Sequence, residues 1–128
     1  MLKFLPVLLF SFTSICCWSQ EDCLRFRSGK FAFRDSAGVV HQIQRTKTHQ
    51  TEFNPQTKLK VKFRIEWSGK CEYKLTQVWA STSEKRKMNR SWQTYQIISS
   101  TENTYEFSCS CSNDKKITGV VLKTDWFE

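Results

Sequence analysis

The residues predict an all-β fold of about eight antiparallel strands, and three observations carry that reading. Lys58, Lys60, Lys62, Arg64 and Glu66 alternate without a break against Leu59, Val61, Phe63, Ile65 and Trp67. Period two over such a length makes a strand with one face buried and the other in water. Shorter runs of the same kind recur along the chain, separated by turn residues such as Asn54-Pro55 and Ser68-Gly69. No stretch has a helical period of useful length. So many strands with short connections favour an up-and-down barrel or a strongly curled sheet, because closure removes unpaired edges; a two-sheet sandwich is the alternative.

Taken in chain order, residues 30–34 make a short strand, followed by strands at 39–46 and 50–54. The alternating segment 58–67 leads into a partner at 71–79, and the register of this hairpin follows from which side chains must share a face. A two-residue loop would set Lys70, Glu72 and Lys74 opposite the apolar face. A three-residue loop, with Gly69 at or near the left-handed position, pairs Trp67 with Cys71, Ile65 with Tyr73, Phe63 with Leu75 and Leu59 with Trp79, all pointing inward. The longer loop is therefore expected, with Arg64 diagonal to Glu72 and Glu66 diagonal to Lys74 outside. Residues 81–90 are polar and basic and read as a loop. A second hairpin, 92–100 with 104–111, turns at Glu102-Asn103 and puts Tyr105, Phe107, Cys109 and Cys111 on one face, and 117–124 completes the series.

The first 19 residues have the form of a secretory signal: Lys3 supplies a positive start, Leu5 to Phe12 an apolar core too short to span a bilayer, and Ser19 a small residue suited to cleavage. Export to a periplasmic or extracellular space is expected, with a lipid anchor through Cys16 or Cys17 as the alternative. Residues 20–128 then form a single β domain. The full chain carries 20 Lys and Arg against 12 Asp and Glu, for a net charge of +8. Export directs that charge toward anionic envelope components rather than DNA. No second long apolar run follows, so no transmembrane span is expected. Four of the six cysteines, Cys23, Cys71, Cys109 and Cys111, lie beyond the signal, and in an oxidising compartment they allow three pairings.

Cys109 and Cys111 should share one face of a strand with Cα atoms about 6.5–7 Å apart, which is unfavourable for joining them directly. Pairing of one of them with Cys71 stays open, and no second cysteine or histidine pair lies at a zinc spacing. His41 and His49 stand apart with no patterned nucleophile. No metal, cofactor or catalytic group is expected. Phe63, Trp67, Tyr73, Trp79, Tyr105 and Phe107 crowd the interior face, where they either fill the core or wall a pocket for an apolar ligand. Lys60, Lys62 and Arg64, with Lys85, Arg86, Lys87 and Arg90, form the candidate anion-binding surface; solvation and blunting of a sheet edge would account for the same residues. These features point to a non-enzymatic binding module, for a small apolar ligand or an anionic envelope component. The alternative is a structural or accessory subunit docking onto a larger envelope complex.

Two segments carry a resemblance: Cys23-Leu24-Arg25-Phe26-Arg27-Ser28-Gly29-Lys30-Phe31, and Trp67-Ser68-Gly69-Lys70-Cys71-Glu72-Tyr73-Lys74-Leu75. Together they resemble a family of small exported β-rich proteins of Gram-negative bacteria, mostly uncharacterised, with the motifs Cys-x-x-Phe-(basic)-small-Gly-x-Phe and Trp-x-x-x-Cys-Glu-Tyr-x-Leu. The resemblance implies that Cys23 and Cys71 are paired or adjacent. Gly29-Lys30-Phe31 is similar to the Gly-x-Trp element near the first strand of lipocalins, which implies a lipocalin-like architecture.

Overall fold

The computed structural model describes residues 20–112 and 115–124, with side chains described for 23–111 and 116–124. The signal segment 1–19 and the anchor alternative at Cys16 or Cys17 lie outside the described residues.

Eight antiparallel strands close into an up-and-down barrel: β1 (Gly29–Arg34), β2 (Val40–Arg45), β3 (His49–Phe53), β4 (Lys60–Trp67), β5 (Glu72–Ala80), β6 (Trp92–Ser100), β7 (Thr104–Ser112) and β8 (Lys115–Lys123). Each pairs with its sequence neighbours, and β8 returns to β1 through Phe31 with Lys123, Ala32 with Leu122 and Phe33 with Val121. The ring is therefore closed, the barrel rather than the sandwich. Inward alternation produces one core, in which Phe31, Ile43, Ile65, Tyr73, Leu75, Ile97, Tyr105, Phe107 and Val121 are all buried. Among the described residues no helix is long and apolar enough to cross a membrane.

The central hairpin keeps the expected inward face but at a different register. Trp67 pairs with Tyr73, Ile65 with Leu75 and Phe63 with Gln77, a shift of two residues. A two-residue slip preserves which face each side chain takes, so burial alone cannot tell the two registers apart. The loop is longer than three residues, closed by the Ser68 N–H donating to Glu72 O at 3.0 Å, and Gly69 is not in the left-handed region. Outside, Glu66 lies directly opposite Lys74, and Arg64 faces Thr76 while its Nε donates to Glu66 Oε1 at 3.0 Å. Further along, the register shifts between Lys62 and Phe63, so that Lys62 pairs with Trp79. This bulge turns Trp79 outward, 42% exposed, whereas the sequence places it inside.

Residues 83–86 form one helical turn, α1 (Ser83–Arg86), within the expected loop, capped by the Thr82 side chain accepting from Lys85 N–H. A 3₁₀ helix, Gln20–Phe26, precedes β1 and lies across one end of the barrel. Phe26 is fully buried against Tyr105, with ring centroids 5.0 Å apart. Four ties hold the helix and the residue that follows it to three other parts of the barrel. Cys23 is disulfide-bonded to Cys71, after β4. Arg25 Nη1 donates to Glu102 O at 3.0 Å, Arg27 Nη2 to Gly69 O at 3.0 Å, and Lys123 Nζ to Arg25 O at 2.7 Å. This end of the barrel is plugged.

Cys109 and Cys111 are joined to each other, with Cα atoms 5.1 Å apart, contrary to the separation expected of a regular strand. The β7–β8 register shifts between Cys109 and Ser112, and a bulged strand shortens the distance between alternate residues.

The Cys23–Cys71 bond closes a segment of sequence separation 48. Replacing both cysteines by serine is expected to lower stability by about 2–4 kcal/mol, read as a lower midpoint in urea unfolding. Equal midpoints for the two proteins would show that the hydrogen bonds hold the plug unaided.

Candidate functional site

The barrel interior is divided along its axis. Near the plug it is filled, and its centre is a charge. Arg45, 2% exposed, enters from the end of β2. Its Nε donates to Gln50 Oε1 at 2.9 Å, Nη1 to Phe26 O at 2.7 Å, and Nη2 to Tyr105 Oη at 2.9 Å and more weakly to Tyr73 Oη at 3.5 Å. The two tyrosine hydroxyls lie 3.1 Å apart. The guanidinium also sits 4.8 Å from the ring centroids of Phe31 and Tyr73, within reach of the ring quadrupoles. Burial works against the charge, the interactions with Tyr105 and Tyr73 work for it, and the guanidinium stays protonated. Burial likewise pushes the Tyr73 hydroxyl well above the ordinary tyrosine range, so it stays neutral.

Gln50 relays this arrangement outward. Its Oε1 accepts from Arg45, and its Nε2 donates to Glu52 Oε1 at 2.9 Å. The Gln50 amide is thus oriented, its N–H end toward the carboxylate. Desolvation raises the Glu52 carboxyl above the ordinary glutamate range, with the Gln50 hydrogen bond and the charges of His41, Arg45 and Lys85 acting in the opposite direction.

Beyond this relay lies a cavity of about 160 Å³. Ile43, Leu75 and Val121 with the rings of Phe33, Tyr95 and Phe107 form its apolar wall, while Arg45, Gln50 and Glu52 form the polar one. It reaches the surface beside His41, whose side chain is 26% exposed and bonds through Nε2 to Asp35 Oδ2 at 2.8 Å. Tyr95 stacks on Tyr73 at 5.1 Å and meets Phe107 edge-on at 5.5 Å, so the rings brace one another. The space for Phe107 and Phe33 exists because β8 has Gly119 opposite them. A Cβ there would fall 2.7 Å from Phe107 Cζ and 2.8 Å from Phe33 Cε2. Gln77 donates from Nε2 to Lys85 O at 2.7 Å and to Asn89 Oδ1 at 3.0 Å, drawing the loop that carries α1 onto this end of the barrel.

Of the six aromatic residues expected inside, Tyr73, Tyr105 and Phe107 line the cavity. Trp67 packs on Tyr73 at 4.8 Å with Arg27 at 4.9 Å over its indole, and Phe63 packs against the core outside the cavity wall. Trp79 is outside altogether. Arg45, Gln50 and Glu52 were missed by sequence reasoning, although Arg45 shares its strand face with Ile43. Among the described residues, no group of three or more His, Cys, Asp or Glu side chains could hold a metal ion.

The seven expected basic residues do not form one patch. Arg64 and Arg90 meet around an open groove that also has Lys74 and the exposed Trp92, with the Lys74 ammonium 5.2 Å from the indole centroid. Lys60 and Lys62 extend from Arg64 along the exposed face of β4. Arg86 instead turns back to donate to Ala80 O at 3.2 Å, Lys85 is half-buried near the barrel mouth, and Lys87 is exposed.

Replacing Arg45 by alanine strips a donor from Gln50, Phe26 O and both tyrosines at once, and is expected to cost about 3–5 kcal/mol in denaturant unfolding. A loss below about 1 kcal/mol would show that Arg45 does not organise the interior. Glu52 gives a pH signature. Because its folded pKa lies above the unfolded value of about 4.3, its contribution favours the fold below that pH and is lost as pH rises through the folded pKa. The Glu52→Gln protein should therefore gain on the native protein in thermal midpoint from pH 4 to pH 8; a constant difference would refute the desolvation. Comparison of the whole chain with protein-family models, with curated proteins and with solved structures finds no match.

Proposed function

We propose that this chain is an exported, non-enzymatic binding module of the cell envelope that holds a small apolar ligand inside the barrel. The observation that carries the reading is the cavity of about 160 Å³, walled by Phe33, Ile43, Leu75, Tyr95, Phe107 and Val121 in a barrel plugged at the opposite end. Rigid rings, a closed floor and one opening are what a small guest requires, since little ordering remains to be done on binding. The Cys23–Cys71 bond is compatible with an oxidising compartment.

The groove of Arg64, Lys74, Arg90 and Trp92 supports a second reading, attachment of an anionic envelope polymer to the outer surface. Binding of that kind is electrostatic and weakens steeply with salt.

Native mass spectrometry of the protein taken from its own host tests the primary reading. The expected result is retention of one small molecule, lost in an Ile43→Phe variant whose extra ring occupies the cavity. A bare polypeptide in both samples, with an empty cavity confirmed by absence of exchangeable guest, would overturn it.

A further inference from the structure

We propose that the cavity selects a small flat arene carrying one hydrogen-bond donor, with the Glu52 carboxylate as its acceptor. This rests on the ligand-binding reading above and specifies the chemistry of the guest.

Size gives the first constraint. A dry protein cavity of about 150 Å³ accommodates benzene, so this one takes a single ring with a short substituent. Shape gives the second, because Phe33, Tyr95 and Phe107 present ring faces and edges to the space.

The polar groups decide the substituent. Each nitrogen of Arg45 is already engaged by the chain itself. The Tyr73 and Tyr105 oxygens both accept from Arg45, and one of the two hydroxyls donates to the other. Tyr95 Oη donates to Gln93 Oε1 at 3.0 Å, Gln50 is used at both ends of its amide, and His41 Nε2 is taken by Asp35. Glu52 Oε1 accepts from Gln50, while Glu52 Oε2, the free acceptor on a charged group in the lining, has no hydrogen bond among the described residues. Glu52 is only partly buried, so a guest that covers this oxygen without donating to it would strip its water and leave it unpaired, at a cost. A guest with its own carboxylate would meet Glu52 as a like charge, and Arg45 has no free fork to receive it.

Titration calorimetry of the full chain at pH 8 with phenol, toluene and benzoate tests the assignment. Phenol should bind about ten- to hundredfold more tightly than toluene, the range of a hydrogen bond to a charged acceptor, and benzoate should be weakest. In Glu52→Gln the preference for phenol should shrink to a few-fold, as a neutral acceptor would give. Circular dichroism establishes that this variant folds, and the three-ligand order in the native protein stands as a test without it. Equal affinities for phenol and toluene would overturn the donor requirement while leaving the cavity reading intact. Benzoate binding best would overturn it in favour of Arg45 as anchor. No binding by any of the three would remove the cavity reading and this inference together.

Discussion

The interior is organised around a cation that has no carboxylate within direct reach. Arg45 is buried among Phe31, Tyr73, Tyr105 and the backbone of Phe26, and its guanidinium cannot lose its proton to escape that setting. An uncompensated buried charge would be prohibitive. Here the compensation is distributed: four hydrogen-bond acceptors, two ring faces at 4.8 Å, and a carboxylate reached through one glutamine. Every one of these groups is fixed by another element, so the charge ties β1, β2, β3, β5, β7 and the 3₁₀ helix into a single arrangement.

That arrangement also explains why the barrel is asymmetric. Where the guanidinium and its ring partners sit, no space is left. Toward the other end the inward residues shorten to Ile43, Leu75 and Val121, and Gly119 admits Phe107 and Phe33 without filling the centre. The cavity is the remainder between a tightly satisfied polar cluster and a ring-lined rim. Its polar wall is not an independent feature but the outer end of the Arg45–Gln50–Glu52 chain.

The strand count, the closure and the inward face of the central hairpin were legible because β4 and β7 obey period two without interruption. The register was not, since a shift of two residues satisfies the same pattern, and neither was the bulge that expels Trp79. Strand β3 inverts the rule: Gln50 and Glu52 face inward while Phe53 takes the opposite face. Polarity patterning turns such a strand the wrong way, because only the tertiary presence of Arg45 makes an inward glutamine and glutamate favourable. The 3₁₀ helix is too short to show a period, and its burial of Phe26 depends on contacts with Tyr105 far along the chain. The bond between Cys109 and Cys111 was hidden for the same reason as Trp79, by a local irregularity in an otherwise regular strand.

The position of the Cys23–Cys71 bond has a consequence for assembly. Both sulfurs lie ahead of β5, one before β1 and the other directly after β4. A polypeptide emerging from its N-terminus can therefore be cross-linked while β5 to β8 are still absent. Oxidation at that stage would corral a four-strand meander, whose β1 and β4 edges then template the remaining strands from either side. The seam between β8 and β1 is the most distant pairing in the sequence, and a cross-link from Cys23 to Cys71 shortens the loop that it must close.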